Sequence, residues 1–335
     1  MAKRRVESKI LRIIFVLIAL VVALFAVAYL ATIGDYKVAK TVADDPALPY
    51  IEANGYRFHG ETFGDPSAPV VIVVHGGPGW DYRSLLPLKA FANEFFVVFY
   101  DQRGSGLSPR VDASEISLDS ALTDLDAIVE RYRRGRSVRL IGHSWGAMLV
   151  TAYLGSAPQK VSHAVVAEPG FLNSAMFERS GIRLGPMWEA GYLLMAARRW
   201  LESLHIDAPD EDAAMDYFMG EVAARANPEY YCDDVIPEFA ISHWRAGATA
   251  MSAMFASNVN EKGRLDLDLT VGLEHFTKPV LLLASECNDF IGIEQQKVQA
   301  GFYPESLLEI IPNSGHMIFS EQPEISVAVV RKYLK

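Results

Sequence analysis

Short, continuous apolar runs recur along this chain, separated by glycine-rich loops and amphipathic stretches. They are rich in Val, Ile, Leu and Phe, which is typical of strands buried on both faces of a sheet. The runs lie at residues 69–74, 95–100, 137–141, 161–167, 279–284 and 307–311. Residues 118–132, 145–156 and 322–334 instead show helical spacing. Strands that alternate with helices predict an α/β fold with a mostly parallel sheet, whose site lies at the carboxyl ends of the strands.

Two segments depart from this alternation. Residues 50–64 contain Asn54-Gly55 between alternating residues, which is a strong signal for a β-hairpin. Residues 170–275 show helical periods and no comparable apolar run. We therefore expect a core formed by residues 50–169 and 276–335, with residues 170–275 inserted as a helical cap over the carboxyl ends of the strands.

The N-terminal segment predicts a membrane anchor. From Ile13 to Ile33 nearly every residue is apolar or small, and about 20 such residues at 1.5 Å each span a bilayer core of about 30 Å. The tail before it, residues 1–12, is basic, so the positive-inside rule places it in the cytoplasm and the rest of the chain on the other side. A cleaved signal peptide, with a candidate site at residues 26–28, is the alternative. The length favours a single-pass anchor, followed by a linker at residues 34–49.

Composition excludes several functions. The net charge of −10 argues against a nucleic-acid partner, because no basic face is available to bind phosphates. Cys232 and Cys287 are too few for a disulfide framework or a zinc site, although one bridge could form in an oxidising compartment. The sequence contains no metal-ligand cluster, phosphate loop or dinucleotide motif, so we expect no cofactor.

A candidate nucleophile follows the apolar run at 137–141. Ser144 is the centre of a Gly-x-Ser-x-Gly motif that passes directly into a helix-forming stretch. A strand, a sharp turn and a helix form the context of a nucleophile elbow, in which small residues on either side allow the strained turn. We therefore predict that Ser144 is the nucleophile.

A serine hydroxyl needs a base and a group that orients the base. His316 lies between the last predicted strand and the final helix, where this architecture places its histidine. The acid is expected after the penultimate strand, where Glu286 and Asp289 are available. We prefer Asp289, because its loop extends further past the strand end, and keep Glu286 as the alternative.

Two backbone N–H groups should stabilise the oxyanion that develops on the substrate. One is expected from Trp145, the residue after the nucleophile. The other is expected from Gly77, in the glycine-rich loop after the strand at 69–74.

Three segments together resemble those of a known family. Residues 75–79 (His-Gly-Gly-Pro-Gly), 101–108 (Asp-Gln-Arg-Gly-Ser-Gly-Leu-Ser) and 142–146 (Gly-His-Ser-Trp-Gly) are similar to the signatures of the proline iminopeptidase branch of the α/β-hydrolase superfamily. The resemblance implies the α/β-hydrolase fold and a metal-free serine hydrolase that acts through an acyl-enzyme. It also implies that Asp101 and Arg103 brace loops and that cap residues select the substrate.

Substrate selection is the point where the sequence departs from that family. Proline iminopeptidases hold the free amine of the substrate with cap carboxylates, one of them in a Trp-Glu pair. The most similar pair here is Trp244-Arg245. An arginine there favours a carboxylate or another acceptor on the substrate, and the alternative, which we prefer, is a solvated or salt-bridged residue of the cap. Glu168 and Glu189 are the candidate acids for an amine.

The sequence therefore predicts a membrane-anchored serine hydrolase that acts on short peptides or small molecules, most similar to proline iminopeptidase. An esterase or amidase with the same triad is the alternative, because selectivity would lie in the cap. A non-catalytic binding protein of the same fold is a further alternative. Epoxide or haloalkane hydrolysis would be indicated by an aspartate in place of Ser144, and this chain has a serine.

Overall fold

One sheet of eight strands forms the centre of the computed structural model, which describes residues 2–180, 189–237, 244–261 and 265–335. The strands are β1 (Tyr50–Ala53), β2 (Tyr56–Phe63), β3 (Val70–Val74), β4 (Phe96–Tyr100), β5 (Val138–His143), β6 (Val161–Ala167), β7 (Val280–Ser285) and β8 (Ser306–Ile311). Their order across the sheet is β1-β2-β4-β3-β5-β6-β7-β8. The pairs β1–β2 and β2–β4 are antiparallel, and all later neighbours are parallel. The predicted α/β fold is confirmed.

Helices flank the sheet and form the cap. They are α1 (Ala2–Ala31), α2 (Leu118–Arg133), α3 (Trp145–Ser156), α4 (Ser174–Ser180), α5 (Ala190–Ser203), α6 (Ala213–Ala223), α7 (Ala248–Ala256), α8 (Ile293–Ala300), α9 (Ile318–Glu321) and α10 (Pro323–Leu334). A 3₁₀ segment, Arg83–Asn93, lies between β3 and β4. Helices α4 to α7 fall within residues 170–275, and we call this range the cap.

The central strands are continuous apolar runs because both faces of the sheet are covered. Val70–Val74 is buried at every position. Ile72 and Val74 pack in one hydrophobic cluster with residues of α2 and α3. Val71 and Val73 pack in a second cluster with the 3₁₀ segment and α10. Alternate side chains of a strand point to opposite faces, so two cores enclose one sheet.

The predicted hairpin is also present. Asn54 and Gly55 connect β1 to β2 with φ values of 48° and 77°, and Ala53 pairs with Tyr56. Both turn residues are in the left-handed region that a two-residue hairpin favours.

The predicted linker, residues 34–49, is packed against the body of the protein. Thr41 and Val42 are buried, and the Val42 N–H donates to the carbonyl oxygen of Leu107 at 2.9 Å. The Arg245 guanidinium donates to the carbonyl oxygen of Ala39 at 3.1 Å. This segment therefore fixes the position of the first helix relative to the cap.

Helix α1 extends away from the α/β domain, and most of its surface is exposed. Its window Leu11–Ala31 is long and apolar enough to cross a membrane, and none of it is buried in the protein. The helix ends at Ala31, two residues before the predicted Ile33, and the Thr32 hydroxyl donates to the carbonyl oxygen of Ala28 in its last turn. A signal sequence near the N-terminus would have the same length and composition.

Candidate active site

Ser144 lies in the sharp turn between β5 and α3. Its φ and ψ are 53° and −121°, a backbone conformation that side-chain-bearing residues rarely adopt. The turn needs glycine on both sides: a Cβ at Gly146 would overlap the carbonyl oxygen of Val74, and one at Gly142 would overlap that of Gly146. Ser144 faces a cavity that it shares with His316. The geometry of a nucleophile elbow is therefore present.

Glu168, at the end of β6, pairs with His316. Its Oε2 lies 3.0 Å from His316 Nδ1, and both side chains are buried. The other carboxylate oxygen, Oε1, accepts hydrogen bonds from the backbone N–H and the hydroxyl of Ser285 at 2.8 and 2.6 Å. Asn288 Nδ2 donates to Oε2 at 2.5 Å. Because both oxygens of Glu168 accept hydrogen bonds, the carboxylate is held in one orientation and can fix the tautomer of the His316 imidazole.

The structure does not place the expected acid beside His316. Asp289 is exposed, and it lines a surface groove together with Glu286. The backbone N–H of Asp289 donates to the carbonyl oxygen of Glu229, and Glu286 accepts the N–H of Asn313. Both residues thus hold loops, whereas Glu168, predicted as a substrate ligand, contacts the histidine.

The strand order explains this difference. Because β6 lies directly beside β5, the carboxyl ends of the two strands place Glu168 and Ser144 at adjacent positions on one sheet edge. The last residue of β7, Ser285, and Asn288 in the following loop bind this carboxylate, and neither segment contributes the acid. The position of Glu168 immediately after a buried strand was a signal in the sequence. We passed over it because we expected the acid after the penultimate strand, β7.

The predicted oxyanion donors lie beside Ser144. Helix α3 begins at Trp145, and the first N–H groups of a helix have no partner within the helix. Gly77 and Ser144 line the same two cavities. The loop of Gly77 is fixed by Gln102, whose Nε2 donates to the carbonyl oxygen of His75 and whose Oε1 accepts from Trp145 Nε1. Gln102 thus joins the glycine loop to the elbow, a role that the sequence analysis did not assign.

Of the two residues expected to brace these loops, Asp101 does so, whereas Arg103 joins its own loop to α2. Asp101 is fully buried and accepts hydrogen bonds from the backbone N–H groups of Tyr82 and Leu107 at 3.0 and 2.8 Å. Arg103 donates from two guanidinium nitrogens to the carboxylate of Asp124 at 2.8 and 2.7 Å.

The loop that carries His316 is held from two sides. On the core side, His143 Nε2 donates to the carbonyl oxygen of His316 at 2.7 Å. Burial lowers the pKa of His143 to about 3, and the nearby His316 adds to this effect, so His143 stays neutral. On the cap side, the ring of Tyr230 stacks on His316 with centroids 4.6 Å apart, and its carbonyl oxygen accepts the His316 N–H at 2.7 Å.

A disulfide fastens the same cap loop. Cys232 and Cys287 are bonded, which resolves the pairing left open by the sequence. Cys287 follows β7, and its N–H donates to the carbonyl oxygen of Ser314, two residues before His316. The disulfide therefore connects a cap loop to the loop after β7, and that loop is hydrogen-bonded to the loop that carries His316.

Two cavities meet at Ser144. The first has a volume of about 220 Å³ and is lined by His316, Asp81, Ser84 and Asn227, among others; we call it the polar lobe. The second has a volume of about 240 Å³ and includes Met148, Phe171, Phe177, Leu267 and Phe290; we call it the apolar lobe. Among the described residues that line the apolar lobe, none carries a charge.

Asp81 is the acid that the polar lobe presents. Burial raises its pKa to about 7, and the charge of the neighbouring Asp101 adds to this shift. Its carboxylate accepts the backbone N–H groups of Arg83 at 2.9 Å and Trp244 at 2.5 Å. No motif in the sequence marks Asp81 as a site residue.

The other predicted substrate ligands lie away from Ser144. Glu189 is exposed at the start of α5. Trp244 packs against the rings of His59 and Tyr82, with centroids 5.2 and 4.9 Å away.

Arg245 is not free to bind a substrate carboxylate. It is buried and donates to Asp210 at 2.6 Å and to Asp216 at 2.7 Å. Its charge is thereby neutralised within the cap.

Comparisons with family models and with curated proteins agree on one family for this chain. Residues 71–329 match the model of the alpha/beta hydrolase family. A proline iminopeptidase of Heyndrickxia coagulans is 28% identical over 85% of this chain and 97% of its own length. Epoxide hydrolase 4 of Homo sapiens is 23% identical over 85% of this chain and 77% of its own length.

A solved structure shows the same fold. The proline iminopeptidase-related protein of Thermus thermophilus superposes with a TM-score of 0.59, at 22% identity, over 86% of this chain and 96% of its own. The match to the family model covers most of the chain, and the resemblance found in the sequence motifs is confirmed. The chain is a hydrolase that belongs to the α/β-hydrolase family.

Proposed function

We propose that the protein is a serine hydrolase that forms an acyl-enzyme on Ser144. His316 Nε2 takes the proton of the Ser144 hydroxyl as Oγ attacks the substrate carbonyl carbon. Glu168 holds Nδ1–H and stabilises the imidazolium. The N–H groups of Gly77 and Trp145 bind the oxyanion. His316 then protonates the leaving group, and a water molecule, activated by the same histidine, hydrolyses the acyl-enzyme.

The observation that carries this proposal is the buried pair of His316 and Glu168 in the cavity of a serine with elbow geometry. A histidine oriented by a fully bonded carboxylate is suited to general base catalysis rather than to simple packing. Some relatives are epoxide hydrolases by name. A serine at the nucleophile position favours acyl transfer over epoxide opening.

For the substrate, we propose an ester with an uncharged, apolar acyl group. The apolar lobe begins at Ser144 and is large enough for a medium-sized acyl chain or a small ring. Methionine and phenylalanine side chains form much of its wall, and such walls accept chains of different shape. Arg245, which could have selected a carboxylate, is neutralised elsewhere.

Removal of N-terminal residues from peptides is the second candidate. Asp81 favours it, because this acid lines the polar lobe and could bind a free amine. The similarity to proline iminopeptidases supports the same candidate. Against it, both oxygens of Asp81 already accept backbone N–H groups, and burial disfavours their charge.

We further propose that α1 anchors the enzyme in a membrane, with the catalytic body outside the cytoplasm. The basic tail before Leu11 favours this orientation. The disulfide supports it independently, because disulfides persist in oxidising compartments.

The deciding experiment compares a proline chromogenic amide with a short-chain chromogenic ester, using the full-length chain in detergent. Ser144→Ala should reduce ester hydrolysis by about 10⁴-fold or more, because it removes the nucleophile. Unchanged hydrolysis in the folded variant would refute the proposal.

Asp81→Asn separates the two substrates. An ester hydrolase should change by less than about threefold, since Asp81 would not touch its substrate. If Asp81 binds an amine, Asp81→Asn should raise KM for the amide. The wild-type KM for the amide should then fall as pH rises through about 7, because the carboxylate becomes charged there.

A further inference from the structure

Helix α5 presents an unusual apolar surface to solvent. Leu193, Leu194, Trp200 and Leu204 are between 44% and 72% exposed, and we call them the α5 stripe. Leu193, Trp200 and Leu204 are spaced by seven and four residues, so they lie in one line along the helix. Leu194 lies beside this line and makes the apolar surface wider. Arg198 lies at the edge of the surface, and its side chain is 71% exposed. Amphipathic helices that lie in a membrane surface have this composition.

The opposite face of α5 is firmly attached to the cap. Buried Glu202 accepts from Arg199 at 2.7 Å and from the Tyr217 hydroxyl on α6 at 3.0 Å. The Tyr192 hydroxyl donates to the carbonyl oxygen of Val222 at 3.1 Å. These bonds fix which face points outward, so the α5 stripe is a stable feature of the surface.

Contacts between α5 and α1 indicate how deep the α5 stripe would lie in a bilayer that α1 spans. The ring of Trp200 lies 6.2 Å from that of Phe25, and His205 Nε2 lies 3.0 Å from the carbonyl oxygen of Tyr29. Phe25 precedes Ala31, the last residue of the apolar window, by six residues, or about 9 Å along the helix axis. If the window spans the bilayer, the indole of Trp200 lies below the outer edge of the hydrocarbon region.

The α5 stripe also leads toward the catalytic cavity. From Trp200 to Leu193 the helix covers about 10 Å, and Tyr192 then bonds to Val222 at the end of α6. The next residues, Ala223 and Ala224, line the polar lobe. The end of the stripe remote from α1 therefore adjoins a wall of the active site.

We propose that the α5 stripe docks into the outer surface of the same bilayer that α1 spans, and that the enzyme takes lipophilic acyl esters from this bilayer. The proposal rests on the proposed hydrolase function and membrane anchor. The packed segment at residues 34–49 keeps the cap and α1 in this arrangement. The uncharged apolar lobe matches a substrate that partitions into lipid.

Quenching of tryptophan fluorescence tests the docking without any turnover. The full-length chain is reconstituted in phosphatidylcholine vesicles with or without lipids brominated on the acyl chain. We expect bromine to quench the wild type and Trp200→Phe to lose most of this quenching. Trp244→Phe is the matched control and should retain it, because Trp244 packs against His59 and Tyr82. Equal quenching in wild type and Trp200→Phe would overturn the proposal.

Hydrolysis of two esters tests the substrate class. Leu194→Gln should lower kcat/KM for a long-chain ester carried in the vesicles by about tenfold, since one leucine loses its burial in lipid. Hydrolysis of a water-soluble short-chain ester should not change. Leu307→Gln, at an exposed leucine on β8, should affect neither substrate. Equal effects of both variants, or none, would refute lipid delivery.

The two proposals fail separately. Absence of quenching in a wild-type chain with intact, Ser144-dependent ester hydrolysis refutes docking alone. Normal quenching in a chain that hydrolyses neither ester refutes the hydrolase function and leaves the docking result intact.

Discussion

The sheet and the cap are built on different principles. Around the sheet, the loops beside Ser144 are held by single polar side chains that bond to backbone groups, as Asp101 and Gln102 show. In the cap, segments are joined by buried ion pairs between charged side chains, such as Arg245 with Asp216. The first kind of contact positions backbone groups near Ser144, whereas the second kind holds the cap segments to one another. We infer that the core determines the reaction and the cap determines what is brought to it.

The cap ion pairs form one buried cluster, which Arg110 of the core joins. Asp216 is fully buried and accepts from Arg110 at 2.8 Å, from Arg245 at 2.7 Å and from the backbone N–H of Ala248 at 2.8 Å. Arg245 also pairs with Asp210. Two guanidinium groups and two carboxylates thus satisfy each other, and removal of one leaves an uncompensated buried charge.

The largest effect is expected in the core. Glu168→Gln should lower kcat for the ester by about 10³- to 10⁴-fold, because a neutral amide cannot stabilise the imidazolium. Asp289→Asn, at the exposed acid predicted from the sequence, should change kcat by less than about twofold. Steady-state kinetics of the two variants checks this ranking. The reverse ranking would move the catalytic acid to the loop after β7.

A stability effect is expected in the cap. Arg245→Ala should lower the free energy of unfolding by about 3 kcal/mol, since Asp216 and Asp210 lose a buried partner. Arg57→Ala removes an exposed ion pair with Glu52 and should cost less than about 1 kcal/mol. Urea unfolding of the full-length chain in detergent measures both. Equal losses in the two variants would mean that the cap cluster is no more than a surface feature.

A stability effect of similar size, with a smaller effect on rate than in the core, is expected where the two regions join. Cys232→Ser with Cys287→Ser should destabilise the protein by about 2–4 kcal/mol, because the bond closes a loop of 55 residues. It should also lower kcat several-fold, since Tyr230 would lose its fixed position on His316. A reducing agent should reproduce both effects in the wild type and neither in the double variant. Full activity of the double variant would show that Tyr230 stays in place without the bond.

Much of the core could be predicted from the sequence. The apolar runs correspond to the buried strands, Asn54-Gly55 is a hairpin turn, and the glycines around Ser144 mark a turn that tolerates no side chain. These features depend on local sterics and on periodicity, which act over a few residues. The oxyanion loop and His316 are placed by the same local logic, at the ends of recognisable strands.

The cap residues were not predictable in this way. Trp244-Arg245 looked like a substrate-binding pair, yet Arg245 is paired with acids on other cap segments and Trp244 packs against aromatic rings of the core. The sequence does not distinguish a charged residue that binds a substrate from one that pairs with a neighbouring helix. Only the packing of the segments decides between these partners.

The sequence by itself determined the fold family, the sharp turn at Ser144, the position of His316 after the last strand and the apolar N-terminal helix, because each depends on contiguous residues whose spacing and size are constrained locally. The tertiary structure alone decided that Glu168 and not Asp289 contacts His316, that Cys232 bonds to Cys287, and that the α5 stripe lies beside α1. The first two pairings join residues 148 and 55 positions apart, and the contact of His205 with Tyr29 on α1 joins residues 176 positions apart. The order of strands and the packing of helices bring such residues together, and no periodicity along the chain records that order.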